Sequence, residues 1–146
     1  MTIRDLMLLG AGKGGDGANY VSGSFTVPET GSTYTLNFGK TISNYLVLIE
    51  ATDASKEEII ASEYNGAKTY CAIGVYPKRK IGEITENNNL FLNRVNPSTS
   101  ALTQVYVGNW TFTSSSIELK TEDLNASSAN YFYHGLTYNY YVVEIK

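Results

Sequence analysis

"VSGSFTVPETGSTYTLNFG", residues 21–39, changes residue type with a period of two. Val21, Gly23, Phe25 and Val27 fall on one face, and Ser22, Ser24 and Thr26 on the other, as in a strand with one face buried. Pro28 closes the run and Glu29-Thr30-Gly31-Ser32 reads as a turn. Tyr34, Leu36 and Phe38 then alternate with Thr33, Thr35 and Asn37. Two such runs across a Gly-containing loop predict a β-hairpin.

The rest of the chain repeats this character. "NYLVLIEA" (44–51) is apolar on both parities, which predicts a strand in the middle of a sheet covered on both faces. "TYCAIGVY" (69–76) is a further strand, with Lys78-Arg79-Lys80 as a bend beyond Pro77. "IGEI" is a weak strand, and Asn87-Asn88-Asn89 a turn before the strand "LFLNRV". Residues 103–113, "TQVYVGNWTFT", are strand-rich, with Gly108-Asn109 as either a bulge or a tight turn. Ser114-Ser115-Ser116 separates them from "IELK", and 121–130 form a polar loop. "YFYHGLTYNYYVVEI" (131–145) predicts a final pair of strands around His134-Gly135. The one helix candidate is 53–66, where Ser55 and Glu58 have capping-box spacing and Gly66 is a stop. It is read as a loop with room for a helical turn.

Composition agrees. Twelve tyrosines and 13 glycines in 146 residues, with many serines and threonines, favour short strands and turns over long helices. The length suits one domain. No repeat of 20–50 residues is present. The expected fold is all-β: a single antiparallel β-sandwich or jelly-roll-like domain over 21–146, preceded by a flexible Gly-rich arm over 1–20.

A net charge of −3 offers no footprint for nucleic acid or an anionic membrane, and no stretch reaches the length of a membrane span. The opening apolar run is too short for a signal h-region. The single cysteine, Cys71, cannot pair within the chain, and its apolar neighbours mark it as a small buried hydrophobe. The Asn-x-Ser/Thr sites at Asn109 and Asn125 carry no weight without a secretion signal.

Gly10, Gly12 and Gly15 match G-x-G-x-x-G, the spacing of a dinucleotide loop. That loop needs a helix N-terminus behind it to hold the pyrophosphate. Here Asp16, Gly17, Ala18 and Asn19 lead into a strand, and Lys13 lacks the Ser or Thr of a Walker A motif. The glycines are expected to form a tether, and no cofactor is expected. Ahead of them Ile3, Leu6, Met7, Leu8 and Leu9 form an apolar head, a solubility liability unless it docks, read either as an arm reaching a neighbouring subunit or assembly or as a disordered or self-docked terminus.

A single histidine, His134, excludes a multi-histidine zinc site, Cys71 with His134 cannot complete four protein ligands alone, and a Cys71–His134 nucleophile pair would join a buried strand to a turn. Glu57, Glu58 and Glu63 read as a solvated face rather than an acid/base pair. No enzyme and no metal site is expected. Aromatic surface remains: Trp110, Tyr131, Tyr133, Tyr138 and Tyr140 are candidates for an interface or a glycan face, set against the ordinary use of tyrosine as strand packing.

The order "GAGKGGDGAN", "VSGSFTVPETGSTYTLNFG", "NYLVLIEA", "WTFTSSSIEL" and "YFYHGLTYNYYVVEI" resembles small accessory virion proteins of tailed bacteriophages and prophages of gut Gram-positive bacteria. Their closing "F-x-x-G-x-T-Y" motif falls on Phe132, Gly135, Thr137 and Tyr138; residues 53–102 have no counterpart. The resemblance implies a non-enzymatic component of the particle, a tail appendage or a head decoration, made in the bacterial host cytoplasm. It would be anchored by its N-terminal arm beside other virion proteins and would aid host-surface adhesion. The expected state is a homo-oligomer, trimeric or larger. Burying three or four arm side chains contributes on the order of 5 kcal/mol, but ordering ~10 residues opposes it by a comparable amount. Contact between domains must therefore hold the oligomer. The alternative is a monomeric carbohydrate-binding module that uses the tyrosine-rich strands on a host surface glycan.

Overall fold

The structure is a computed structural model that describes residues 19–62, 68–77, 80–81, 84–85, 90–96, 101–107, 111–126 and 132–146. Among them the chain is mostly strand, arranged as two sheets packed into an all-β sandwich. The larger sheet has six strands. In spatial order they are β1 (Tyr20–Thr26), β12 (Thr137–Glu144), β3 (Tyr45–Ala51), β4 (Lys68–Tyr76), β7 (Leu90–Asn96) and β8 (Ala101–Val107), each antiparallel to its neighbours. The smaller sheet places β10 (Ser116–Glu122) between β2 (Thr33–Asn37) and β11 (Phe132–Tyr133), and β9 (Thr111–Phe112) also pairs with β10. The β10–β11 pairing is parallel, the others in this sheet antiparallel. A separate two-strand ladder joins β5 (Lys80–Ile81) and β6 (Ile84–Thr85).

"NYLVLIEA" has the place its composition predicts. β3 lies between β12 and β4, with Tyr45, Val47, Ile49 and Ala51 turned to the core and Leu46, Leu48 and Glu50 to the outer face. Val47 and Ile49 are fully buried, each worth about 1.5–3 kcal/mol. Opposite them sit Leu36 of β2 and Ile117 and Leu119 of β10. The rings of Phe25 and Tyr34 stack at 5.0 Å across the two sheets.

That stack explains a correction. The runs on either side of Gly31 do not form the expected hairpin: β1 pairs with β12, and β2 with β10. Each run has one apolar face, and the two faces meet across the sandwich instead of lying side by side. Residues 27–32 are thus a corner between layers, helped by the positive φ (111°) of Gly31. The predicted pair around His134-Gly135 is corrected likewise: β11 lies in the small sheet and β12 in the large one. Gly135 turns this second corner at φ 75°. The two corners touch, with Val27 N donating to Leu136 O (2.9 Å) and Gly135 N to Val27 O (3.0 Å).

The 53–66 segment does more than a single turn. It forms α1 (Asp53–Ala61). Thr52, not Ser55, is its N-cap, accepting from Ser55 N at 3.3 Å. The helix ends when Ser62 turns extended, before the predicted stop at Gly66, which lies outside the described residues. Ile59 is fully buried in the core. Ser55 is 4% exposed, and its Oγ accepts from Thr137 N (2.9 Å), tying α1 to the start of β12.

The expected turns at 87–89 and 108–109, and residues 78–79 of the basic bend, lie outside the described residues. So do Glu63 and residues 1–18 of the arm, including Ile3, Leu6, Met7, Leu8 and Leu9. Strand character begins at Tyr20, one residue before the predicted boundary, because Glu144 N donates to Asn19 O (2.8 Å).

Candidate functional site

The ladder of the large sheet sorts its outer face into rows. Tyr20, Val143, Leu46 and Val75 form one row across β1, β12, β3 and β4. Ser22, Tyr141, Leu48 and Ile73 form the next, and Ser24, Asn139, Glu50 and Cys71 the third. Apolar character therefore concentrates at the end where the chain enters β1. Leu48, Cys71 and Tyr141 are buried as a cluster separate from the core, with Leu46, Ile73 and Val143 partly buried against it. Tyr20 (43% exposed) adjoins this half, and Ile145 (37%) follows β12 there. Polar character grows towards α1, where Lys56 Nζ lies 3.9 Å from a Glu50 carboxylate oxygen.

The chemistry-bearing side chains stand apart. Cys71 is buried in β4, and burial, helped by the Glu50 charge, pushes its thiol up to about 11. A thiol held protonated is a poor nucleophile. His134 does not meet it: Nδ1 lies 2.8 Å from Asp123 Oδ1, and Nε2 2.8 Å from the Gly31 carbonyl oxygen. Glu57 and Glu58 are exposed on α1. Lys68 is fully buried, with Nζ donating to the carbonyls of Leu124 (2.5 Å) and Ala126 (3.0 Å) and lying 5.4 Å from the Tyr133 ring centroid. Burial lowers its pKa, while the Glu122 charge acts the other way. This lysine anchors the 123–126 turn to β4. Among the described residues no group of three or more His, Cys, Asp or Glu is placed to hold a metal, and no helix is long and apolar enough to cross a membrane.

Two of the five aromatic candidates are not surface groups but belong to the core, in the packing role that tyrosine ordinarily has in strands. Tyr133 and Tyr138 are fully buried, since β11 and the inner parity of β12 face the opposite sheet. Their hydroxyls work inside: Thr69 N donates to Tyr133 Oη (3.0 Å), and Tyr133 N to Tyr138 Oη (3.2 Å). Tyr140 is half-buried, packed on the core and over Gly23, where a Cβ would come within 2.9 Å of the Tyr140 ring. Trp110 and Tyr131 lie outside the described residues.

The outer row of Tyr20, Leu46 and Val143 was missed by sequence reasoning, although the both-parity apolar run of β3 carries its signal. Asp123 and Gly31 around His134, and the buried Lys68, leave no comparable sequence trace. No family model matches the chain, and no curated protein or solved structure matches it significantly.

Proposed function

We propose that this chain is a non-enzymatic structural subunit of a bacteriophage particle that assembles with further copies of itself. The observation behind this reading is the apolar half of the outer face, with Leu46 and Val143 inside it and Tyr20 and Ile145 at its rim. Residues 1–18 join the described domain at the same place, through Asn19 beside Glu144. A neighbouring copy seated there buries apolar surface and meets the neighbour's arm in the same contact. Because these side chains are already half-buried or more than half-buried, covering each contributes only a fraction of the about 1.5–3 kcal/mol of a full burial, before ordering costs. The virion context is supported by the resemblance of the leader, first strand and closing motif, and host-surface adhesion follows from that context alone.

Light scattering on the full-length protein tests the assembly, with a trimer or larger expected. Tyr20→Ser with Ile145→Ser changes only exposed rim positions and should weaken association without unfolding the domain. A monomer at high micromolar concentration, unaffected by these changes, refutes self-assembly; glycan binding by that monomer would then favour the module alternative. Capsid, portal or tail genes beside the coding sequence support the virion context, and their absence counts against it.

A further inference from the structure

The sole histidine of the chain sits where the two inter-sheet corners meet. Its backbone N donates to Glu122 O (2.9 Å) at the end of β10, and its side chain is 13% exposed. The ring reaches two separate segments. Nδ1 faces Asp123 Oδ1 and Nε2 faces the Gly31 carbonyl, both at 2.8 Å. Neither partner is a donor: a carbonyl oxygen only accepts, and so does an ionised carboxylate. A neutral imidazole carries one N–H and satisfies one of them. Only the imidazolium donates to both at once.

We propose that His134 is a proton-operated clasp, bridging Asp123 and Gly31 as the imidazolium and releasing one of the two segments when it loses a proton. The charged groups around it favour the closed form. Asp123 faces it from the 123–126 turn and Glu29 from the first corner, where the Glu29 carboxylate lies 3.0 Å from the position of a Cβ on Gly135. Glu122, on the adjoining end of β10, interacts with Lys68. Burial works against the charged ring, but the hydrogen bonds to Asp123 and Gly31 and the charges of Asp123 and Glu29 outweigh it, raising the pKa above 6.5. The Gly31 carbonyl also accepts from Thr121 Oγ1 (3.0 Å), and Thr121 N donates to Ser32 O (3.0 Å). Release at Gly31 thus loosens the attachment of the first corner to β10.

A histidine whose folded pKa exceeds its unfolded value stabilises the fold fully below the unfolded value. That stabilisation fades as pH rises through the folded value. The clasp is closed in mild acid and opens on the alkaline side of 6.5, independently of any assembly through the outer face.

Because the chain has one histidine, its NMR titration is unambiguous. The expected midpoint lies above 6.5, with both ring nitrogens protonated below it, and Asp123→Asn moves the midpoint down. Exchange of the Thr121 amide accelerates across the same pH interval, beyond the intrinsic base catalysis seen in His134→Gln. The Tm difference between wild type and His134→Gln shrinks over that interval. A midpoint at or below 6.5, or one unmoved by Asp123→Asn, overturns the proposal. Both readings use folded protein and stand even if His134→Gln does not fold.

Discussion

Ser55→Ala should destabilise the protein, against the direction that helix propensity alone gives. On an exposed helix surface alanine is the better residue by a few tenths of a kcal/mol. Ser55 is instead buried at the joint between α1 and β12. Its Oγ accepts from Thr137 N at 2.9 Å and from Thr52 Oγ1 at 3.1 Å. The methyl group of alanine leaves the Thr137 N–H without this acceptor, which costs about 1–3 kcal/mol. The net loss expected is about 1–2.5 kcal/mol, or about 3–10 °C in Tm for a domain of this size. Thr52→Ala removes the N-cap and costs about 0.5–2 kcal/mol. The two residues share a hydrogen bond, so the double variant should lose about 0.5 kcal/mol or more less than the sum. Urea unfolding of the four proteins measures the cycle, and amide exchange at Thr137 locates the damage. A neutral Ser55→Ala, or a Thr137 amide that stays as protected as before, would refute the joint. An additive cycle would refute the shared bond. Glu57→Ala on the exposed face is the control, expected within ±0.5 kcal/mol.

Cys71 should resist alkylation by iodoacetamide at pH 8 in the folded protein and react readily in denaturant; equal rates would contradict its burial and raised pKa. Lys68→Met removes the cationic donor to the Leu124 and Ala126 carbonyls, and should lower stability in urea unfolding by about 1.5–3 kcal/mol; an unchanged midpoint would show that this lysine does not anchor the turn. Deleting residues 1–18 should leave cooperative thermal unfolding intact and weaken, without abolishing, any oligomer. Loss of the transition would make the arm part of the core. Calorimetric titration with ATP, GTP or NAD at millimolar concentration should give no saturable heat, and heat abolished by Lys13→Ala would restore the phosphate-loop reading.

Residue order alone determines the all-β class of this protein and, in its first strands, which face is apolar. Alternation at 21–27 and 33–38, and the both-parity run at 44–51, carry that directly, because a pleated strand turns successive side chains to opposite faces. The apolar sequence neighbours of Cys71 are equally local, but the Leu48 and Tyr141 side chains that bury it come from other strands. Alternation carries no information about partners. The same turn residues serve a hairpin or a corner, and at Gly31 and Gly135 only packing of one sheet on the other selects the corner. Tyrosine is similarly ambiguous: Tyr133 and Tyr138 are core and Tyr20 is rim because of the layer and the parity each occupies, not because of composition. The outer face became visible once register aligned Tyr20, Val143, Leu46 and Val75 from four strands. The clasp needed three distant segments: His134 meets Asp123 eleven residues away and Gly31 across 103 residues. Contacts of that range form only when the two corners stack, and that stacking is a property of the assembled sandwich rather than of any local stretch of the chain.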